Sequence, residues 1–260
     1  MNTSGVAFEQ RGPLTDTRLL LDVRVSGKRY DSRAVLDRLT LKIGRGEIVS
    51  LVGPTGCGKS TLLRILAGLD REFDGDVVLD GTPQHGPSPR IGVIFQEPRL
   101  LPWLSVADNV AFSAGPRRGG DPRVDELLAQ VGLAGSRDLL PKQLSGGMAQ
   151  RVAIARGLFS QPDLLLLDEP FSAVDAITRM RLQDLLLSLV ASSGTAALIV
   201  THDLDEALYL SDRVVLMTSA GPEAAGRISR DIEVAATRPR DRGDAALAGL
   251  RGKLLAGLAQ

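Results

Sequence analysis

The chain has 260 residues, 31 Lys plus Arg against 31 Asp plus Glu, and an apolar fraction of 43%. With no net charge and no block of like charges, this globular composition lacks the electrostatic footprint of nonspecific nucleic-acid binding. Its longest purely apolar runs, such as Leu164 to Leu167, fall far short of the ~18 residues a membrane span needs, so work at a membrane would require other chains to supply the spans.

Residues 1–17 are polar, interrupted by Gly and Pro and without period, and read as a mobile tail ahead of one domain over 18–260. The tail has neither the basic start nor the apolar stretch of a secretory signal. Cys57 is the single cysteine and has no internal partner. Both features point to a reducing compartment.

Leu21, Val23 and Val25 alternate with Asp22 and Arg24, and Leu39, Leu41 and Ile43 alternate with Thr40 and Lys42. That is the period of half-buried strands, and it predicts a small antiparallel β layer. Ile48 to Val52 is a continuous aliphatic run, a buried strand that stops at Gly53. After Ser60, residues Leu62, Leu63, Ile65, Leu66 and Leu69 take helical spacing. A further strand is read at Ile91 to Phe95. Asp121-Pro122 has the chemistry of an N-cap with proline in the first turn, followed by an apolar face of Val124, Leu127, Leu128 and Val131. This predicts a helical insert over about 97–160. Beyond it, the pattern alternates strand (Leu164 to Leu167), helix (Ile177 to Val190), strand (Ala196 to Val200), helix (Leu204 to Leu210) and strand (Val214 to Met217). Such alternation predicts an α/β fold with a mostly parallel sheet covered by helices. From an Asp244 cap, Leu247, Leu250, Leu254 and Leu258 form one face of a final amphipathic helix, which must pack back on the body.

The segment Gly53-Pro54-Thr55-Gly56-Cys57-Gly58-Lys59-Ser60-Thr61 fits G-x-x-x-x-G-K-[ST] and lies where such a loop must lie, between a buried strand and a helix start. The glycines let backbone N–H groups turn inward around phosphate oxygens, and the helix N-terminus adds positive potential. Lys59 reaches the β- and γ-phosphates, and the Ser60 hydroxyl ligates Mg²⁺. Alone, the motif specifies an ATPase, a GTPase or a kinase. Leu164 to Leu167 runs into Asp168 and Glu169. With the loop in place, Asp168 suits Mg²⁺ binding through water, and Glu169 suits the role of general base toward the attacking water. Leu144-Ser145-Gly146-Gly147-Met148-Ala149-Gln150-Arg151 is a third signal. Ser145 can cap a helix continuing through Val152, Ile154, Ala155 and Leu158, and a cap alone does not explain two glycines after it. Together Ser145, Gly146 and Gly147 present open N–H groups at a positive helix end, a second anion site.

These segments together resemble the ATP-binding subunits of ABC transporters: Tyr30, GPTGCGKST, Gln96, LSGGMAQR, LLLLDEP, Asp175 and His202 stand in that family's order, over about residues 19–255. Kinases and small GTPases lack the LSGG segment. The runs Ile94 to Trp103, Asp168-Glu-Pro-Phe171 and Thr201-His-Asp-Leu-Asp-Glu206 are similar to those of the subgroup that serves nitrate, sulfonate and taurine importers. The resemblance implies that Tyr30 stacks on adenine, that Gln96 senses Mg²⁺ and the attacking water, and that His202 bonds the γ-phosphate and holds the water with Glu169. The helix starting at Ser145 belongs to the insert and is roughly 22 Å long, so it does not easily fold back onto its own chain's phosphates. In the family, Ser145 and Gly147 of one copy would cap ATP bound by the other in a head-to-tail dimer, and the loop carrying Asp175 would cross that interface. Val174 stands where the family more often has Leu.

The resemblance further implies two membrane permease subunits at the cytoplasmic face of the membrane, an extracytoplasmic solute-binding protein and no nucleic-acid partner. Pro98, Leu100, Leu101, Pro102 and Trp103 would line the groove for a permease helix, although Trp103 reads equally well as a core residue. An exporter motor and a soluble, non-transport ATPase of the same family remain the alternatives. His85 lies in a turn-rich loop without Cys or acidic neighbours, and no metal role is expected for it. Cys57, inside the phosphate loop near a helix start, is expected to favour the thiolate and to be open to alkylation.

Overall fold

The computed structural model describes residues 19–115, 118–221 and 224–258. The segment 1–17 read as a tail lies outside the described residues. In chain order the elements are β1 (Leu19–Tyr30), β2 (Arg33–Gly44), β3 (Ile48–Val52), α1 (Lys59–Leu66), β4 (Asp74–Leu79), β5 (Thr82–Pro83), β6 (Ile91–Ile94), α2 (Val106–Val110), α3 (Pro122–Gln130), α4 (Gly146–Phe159), β7 (Leu164–Asp168), α5 (Ala176–Ser193), β8 (Ala196–Thr201), α6 (Leu204–Leu210), β9 (Arg213–Thr218), β10 (Arg227–Glu233) and α7 (Ala245–Leu258).

The alternating segments pair as an antiparallel layer in the order β2-β1-β4-β5. The continuous apolar runs form a six-stranded sheet in the order β10-β9-β3-β8-β7-β6, parallel except for the edge pair β10 and β9. A parallel strand covered on both faces has no polar side, which is why β3 and β8 are apolar or small and buried throughout.

Successive side chains alternate between two cores. Leu164, Leu166, Val49 and Leu51 face a core shared with α1 and the antiparallel layer. Leu165, Leu167, Ala197 and Ile199 face another, shared with α2 to α5. Fully burying one such leucine contributes about 1.5–3 kcal/mol, and Leu166→Ala, fully buried here, would cost about 2–5 kcal/mol with the cavity it leaves.

The helix starts follow their local chemistry. The Asp121 carboxylate accepts the Arg123 N–H at 2.9 Å with Pro122 in the first turn of α3. Asp244 accepts from Ala246 N at 2.8 Å ahead of α7, where Leu247 and Leu254 are buried and Leu250 packs beside them; the Leu258 side chain lies outside the described residues. Strands β4 and β10 carry no clear alternation. In β4 only Val77 and Leu79 are buried. In β10 a bulge between Ile228 and Arg230 shifts the register and leaves Ile232 as the buried residue.

The sheet sets the functional rim. Register places Val52 opposite Thr201 and Asp168 opposite Val200, so the residues that follow β3, β7 and β8 emerge together at the carboxyl ends of the strands, where open α/β sheets bind ligands.

Candidate active site

The turn after β3 is built around backbone that tolerates no side chain. A Cβ on Gly53 would meet the Met217 carbonyl oxygen at 2.1 Å, because the loop leaves the sheet beside β9. Gly58, the N-cap of α1, has φ of 100° and offers no side-chain cap. Its conformation favours glycine, and the first-turn N–H groups of α1 stay open toward an anion. Lys59 is 7% exposed and folds back along the loop, its Nζ donating to Gly53 O at 2.8 Å and Pro54 O at 2.9 Å. A buried ammonium held only by carbonyl oxygens is poised for an anion entering the loop.

Cys57 corrects the sequence expectation. Its side chain is 1% exposed and belongs to the core between the two sheets. Burial pushes the thiol pKa up, and the nearby Lys59 charge does not reverse it. The helix start therefore does not make Cys57 a thiolate.

At the end of β7, Ser60 Oγ donates to Asp168 Oδ1 at 3.4 Å. Burial raises the Asp168 pKa, opposed by the Ser60 hydrogen bond and reinforced by the Glu169 charge. Two hard oxygen donors this close, one of them a desolvated carboxylate, fit the donor set that Mg²⁺ takes beside a phosphate. Glu169 sits at φ of 44°, a left-handed backbone that a non-glycine residue holds only under constraint. The constraint is visible: its N–H donates to Val200 O at 2.9 Å and its carbonyl accepts from Ser172 Oγ at 2.9 Å. Its side chain meets His202, Nδ1 to Oε2 at 3.1 Å. Asp203 caps α6 by accepting from the N–H groups of Asp205 and Glu206, which anchors the loop that carries His202.

Tyr30 lies at the end of β1 and is 41% exposed. Its hydroxyl donates to Asp70 Oδ2 at 2.5 Å, and Lys28 Nζ stands 4.4 Å from its ring centroid. Lys28 is 2% exposed and also donates to Asp70 Oδ1 at 2.7 Å and Glu72 O at 2.6 Å. The ring is thus backed by a fixed cation. Burial foremost, and Asp70 after it, raises the Tyr30 phenol pKa, with Thr61 and Lys28 acting the other way.

Ser145 is exposed and caps α4, its Oγ accepting from Met148 N at 3.2 Å. Gly146 and Gly147 are the first residues of that helix. A Cβ on Gly147 would meet Thr178 Cγ2 at 2.8 Å, so the start of α4 lies against the start of α5. There Asp175 Oδ1 accepts from Ile177 N at 3.1 Å and Thr178 N at 3.0 Å. The Thr178 N–H, together with the other donors of this cap, lowers the Asp175 pKa.

Gln96 is exposed just past β6. In the segment that follows, Trp103 is 72% exposed, which removes its reading as a core residue, whereas Leu100 packs on the helical core. Two residues that sequence reasoning missed hold this segment. Arg156 of α4 donates to Pro98 O at 2.6 Å and Arg99 O at 2.9 Å. The buried Asn109 amide accepts from Leu101 N at 2.8 Å and donates to the carbonyls of Leu101, Leu104 and Ser105. Their signal is spatial: neither stands in a motif. His85 is exposed.

Comparison with known proteins places the chain in a family. The family model for the ABC transporter matches residues 36–172. The chain is 65% identical over 236 residues to the aliphatic sulfonates import ATP-binding protein SsuB 2 of Burkholderia lata, covering 91% of this chain and 85% of the relative. It is 55% identical over 247 residues to SsuB 1 of Xanthomonas axonopodis pv. citri, covering 92% and 96%. Among solved structures it is similar to cbiO1 of Clostridium perfringens, part of the ABC transporter complex cbiONQ, with TM-score 0.73 and 28% identity over 84% of this chain and 89% of the other. It is also similar to an ATP-binding cassette solved as a dimer in a post-hydrolysis state with ADP and Pi, with TM-score 0.68 and 29% identity over 84% of this chain and 100% of the other.

Proposed function

The chain belongs to the ABC transporter family, as an ATPase whose hydrolysis is coupled to transport, and from that premise we propose that it energises import of a small sulfonate-class anion. It works as a head-to-tail pair of identical copies, bound to two permease subunits at the cytoplasmic face of the membrane. An extracytoplasmic binding protein delivers the solute. The names of the Burkholderia and Xanthomonas relatives support the solute class and the direction.

The single observation that carries the catalytic reading is the contact of Glu169 with His202 at the strand ends, beside Lys59 and the Ser60–Asp168 pair. Tyr30 stacks on adenine with Lys28 behind its ring. The open N–H groups from Gly53 to Thr61 and the Lys59 ammonium hold the phosphates. Ser60 and Asp168 would hold Mg²⁺, which would neutralise charge on the phosphate oxygens. Glu169 accepts the proton of the attacking water, and His202 fixes the Glu169 carboxylate through Nδ1, leaving Nε2 to the water or the γ-phosphate. Gln96 faces the same water from the end of β6. Ser145, Gly146 and Gly147 of the second copy close over the γ-phosphate with helix-terminal N–H groups, and Asp175 crosses between the copies. ATP is then shared by two chains, and its cleavage releases them. The segment from Gln96 to Trp103 carries that movement to the permease.

The test is growth. A strain lacking its own sulfonate-import ATP-binding subunit, supplied with this chain, is expected to grow on an alkanesulfonate as sole sulfur source and to take up the labelled compound. Uptake of nitrate but not of alkanesulfonate would overturn the solute class, and ATP-dependent efflux would overturn the direction.

A further inference from the structure

The mechanism leaves the deeply buried carboxyl group of Glu206 unused. Glu206 of α6 is 6% exposed, and it lines the same small cavity, about 70 Å³, as Glu169 and His202. Burial pushes its pKa up, with hydrogen bonds from Thr201 and Gln183 pulling the other way. A carboxyl in such a place is costly unless its partners are fixed.

Its partners form a chain whose direction is forced. Arg242, just ahead of α7, can only donate, and its Nη1 donates to Gln183 Oε1 at 2.6 Å. That contact turns the Gln183 amide so that Nε2 faces inward, where it donates to Glu206 Oε2 at 3.1 Å. Glu206 Oε2 therefore accepts, the Glu206 N–H donates to Asp203 Oδ1 at 3.1 Å, and the carboxyl lies near enough to the Thr201 hydroxyl for that group to lower its pKa. Thr201 Oγ1 keeps a lone pair for the Asp203 N–H at 3.0 Å. The chain thus ends on the two residues that bracket His202. Gln183 and Thr201 are 2% and 3% exposed. At the outer end, Arg242 is held by Asp184 at 2.9 Å and by the Tyr209 ring at 3.6 Å from its centroid, and Arg251 of α7 pairs with Asp205 at 3.0 Å.

We propose that Arg242, Gln183 and Glu206 are positioning residues for His202, so that the C-terminal segment supports the hydrolytic loop from behind and its detachment lowers turnover without weakening ATP binding. The inference rests on the role assigned above to His202. Removing the guanidinium frees the Gln183 amide to flip, Glu206 then loses its donor, and the backbone around His202 loses its fixed register. Small misplacements of a catalytic group cost rate far more than affinity.

The experiment uses the full chain and compares Arg242→Met, Arg242→Lys, His202→Ala and the double variant Arg242→Met with His202→Ala. Radiolabelled phosphate release keeps slow turnover measurable, and ATP affinity is titrated separately. Arg242 lies at the surface end of the chain of bonds, so its replacement leaves the core intact. The expected result is a fall in kcat of about 10-fold to 100-fold in Arg242→Met, with KM and ATP Kd within about twofold. Lysine, which still donates to Gln183, should recover most of the rate. In the His202→Ala background, Arg242→Met should have no further effect. An unchanged kcat, a loss that lysine does not recover, or an equal loss with and without His202 would each overturn the proposal while leaving His202 in its role. Full turnover in His202→Ala would instead remove that role and the proposal together.

Discussion

His202 Nδ1 and Glu169 Oε2 lie 3.1 Å apart, although 33 residues separate them in the chain. β7 and β8 are parallel neighbours, and Asp168 pairs with Val200, so the first residues beyond each strand converge. Glu169 is further locked by its left-handed backbone and by its N–H bond to Val200 O. Glu169→Gln keeps the shape and the contact with His202 but cannot take a proton. It should bind ATP as tightly as the parent and lose turnover by roughly 10²–10⁴-fold, with ATP-bound dimers accumulating in size-exclusion chromatography. Near-parental phosphate release from this variant would move the base elsewhere.

Asp70 links Tyr30, the proposed adenine platform, to the pH dependence of stability. Its burial works toward a higher pKa, but the hydrogen bonds from Lys28, Tyr30 and the Glu72 N–H outweigh it, and the carboxyl is held below its ordinary value. A group with a lowered folded pKa adds stability that is present above its unfolded pKa and is lost as pH falls through the folded value. Asp70→Asn should therefore lower the neutral-pH stability by about 2 kcal/mol, since Asn keeps an acceptor for Lys28 but not the charge. It should also flatten the acid limb of a plot of urea midpoint against pH, and weaken ATP affinity by loosening Tyr30. Parallel acid limbs in the two proteins would show that Asp70 does not carry this linkage.

Cys57 should resist alkylation in the native protein. The side chain is 1% exposed and its thiol pKa is raised by burial, so both access and thiolate fraction are low. Under an excess of N-ethylmaleimide at neutral pH, mass spectrometry should find the native chain unlabelled over a period in which the urea-unfolded chain reacts completely, and ATPase activity should persist. Rapid stoichiometric labelling of the native chain would contradict the packing of this loop.

Much of the site was legible because its chemistry is local. The spacing of Gly53, Gly58, Lys59 and Ser60 lies within one turn of loop and helix, and the caps at Asp121, Ser145 and Asp244 are made by a side chain and N–H groups two or three residues on. Periodicity located the buried strands because a parallel strand must be apolar on both faces. Strands β4 and β10 were not legible, since each buries two residues or fewer and owes its place to a neighbour's unpaired edge. Cys57 was misread because its position in the phosphate loop near a helix start says nothing of which way its side chain packs. Trp103 could not be assigned to core or surface because an aromatic side chain serves either.

Residue order alone determined the strand–loop–helix succession, the phosphate loop and the capped helices, since these depend on dihedral preferences and hydrogen bonds spanning a few residues. Only the tertiary structure decided that Glu169 meets His202, that Arg156 and Asn109 hold the segment before Trp103, and that Arg242 reaches Glu206 through Gln183. Each of those contacts joins residues on different elements, and which elements become neighbours is settled by sheet order and burial, where the free energy of removing apolar surface from water outweighs any local preference.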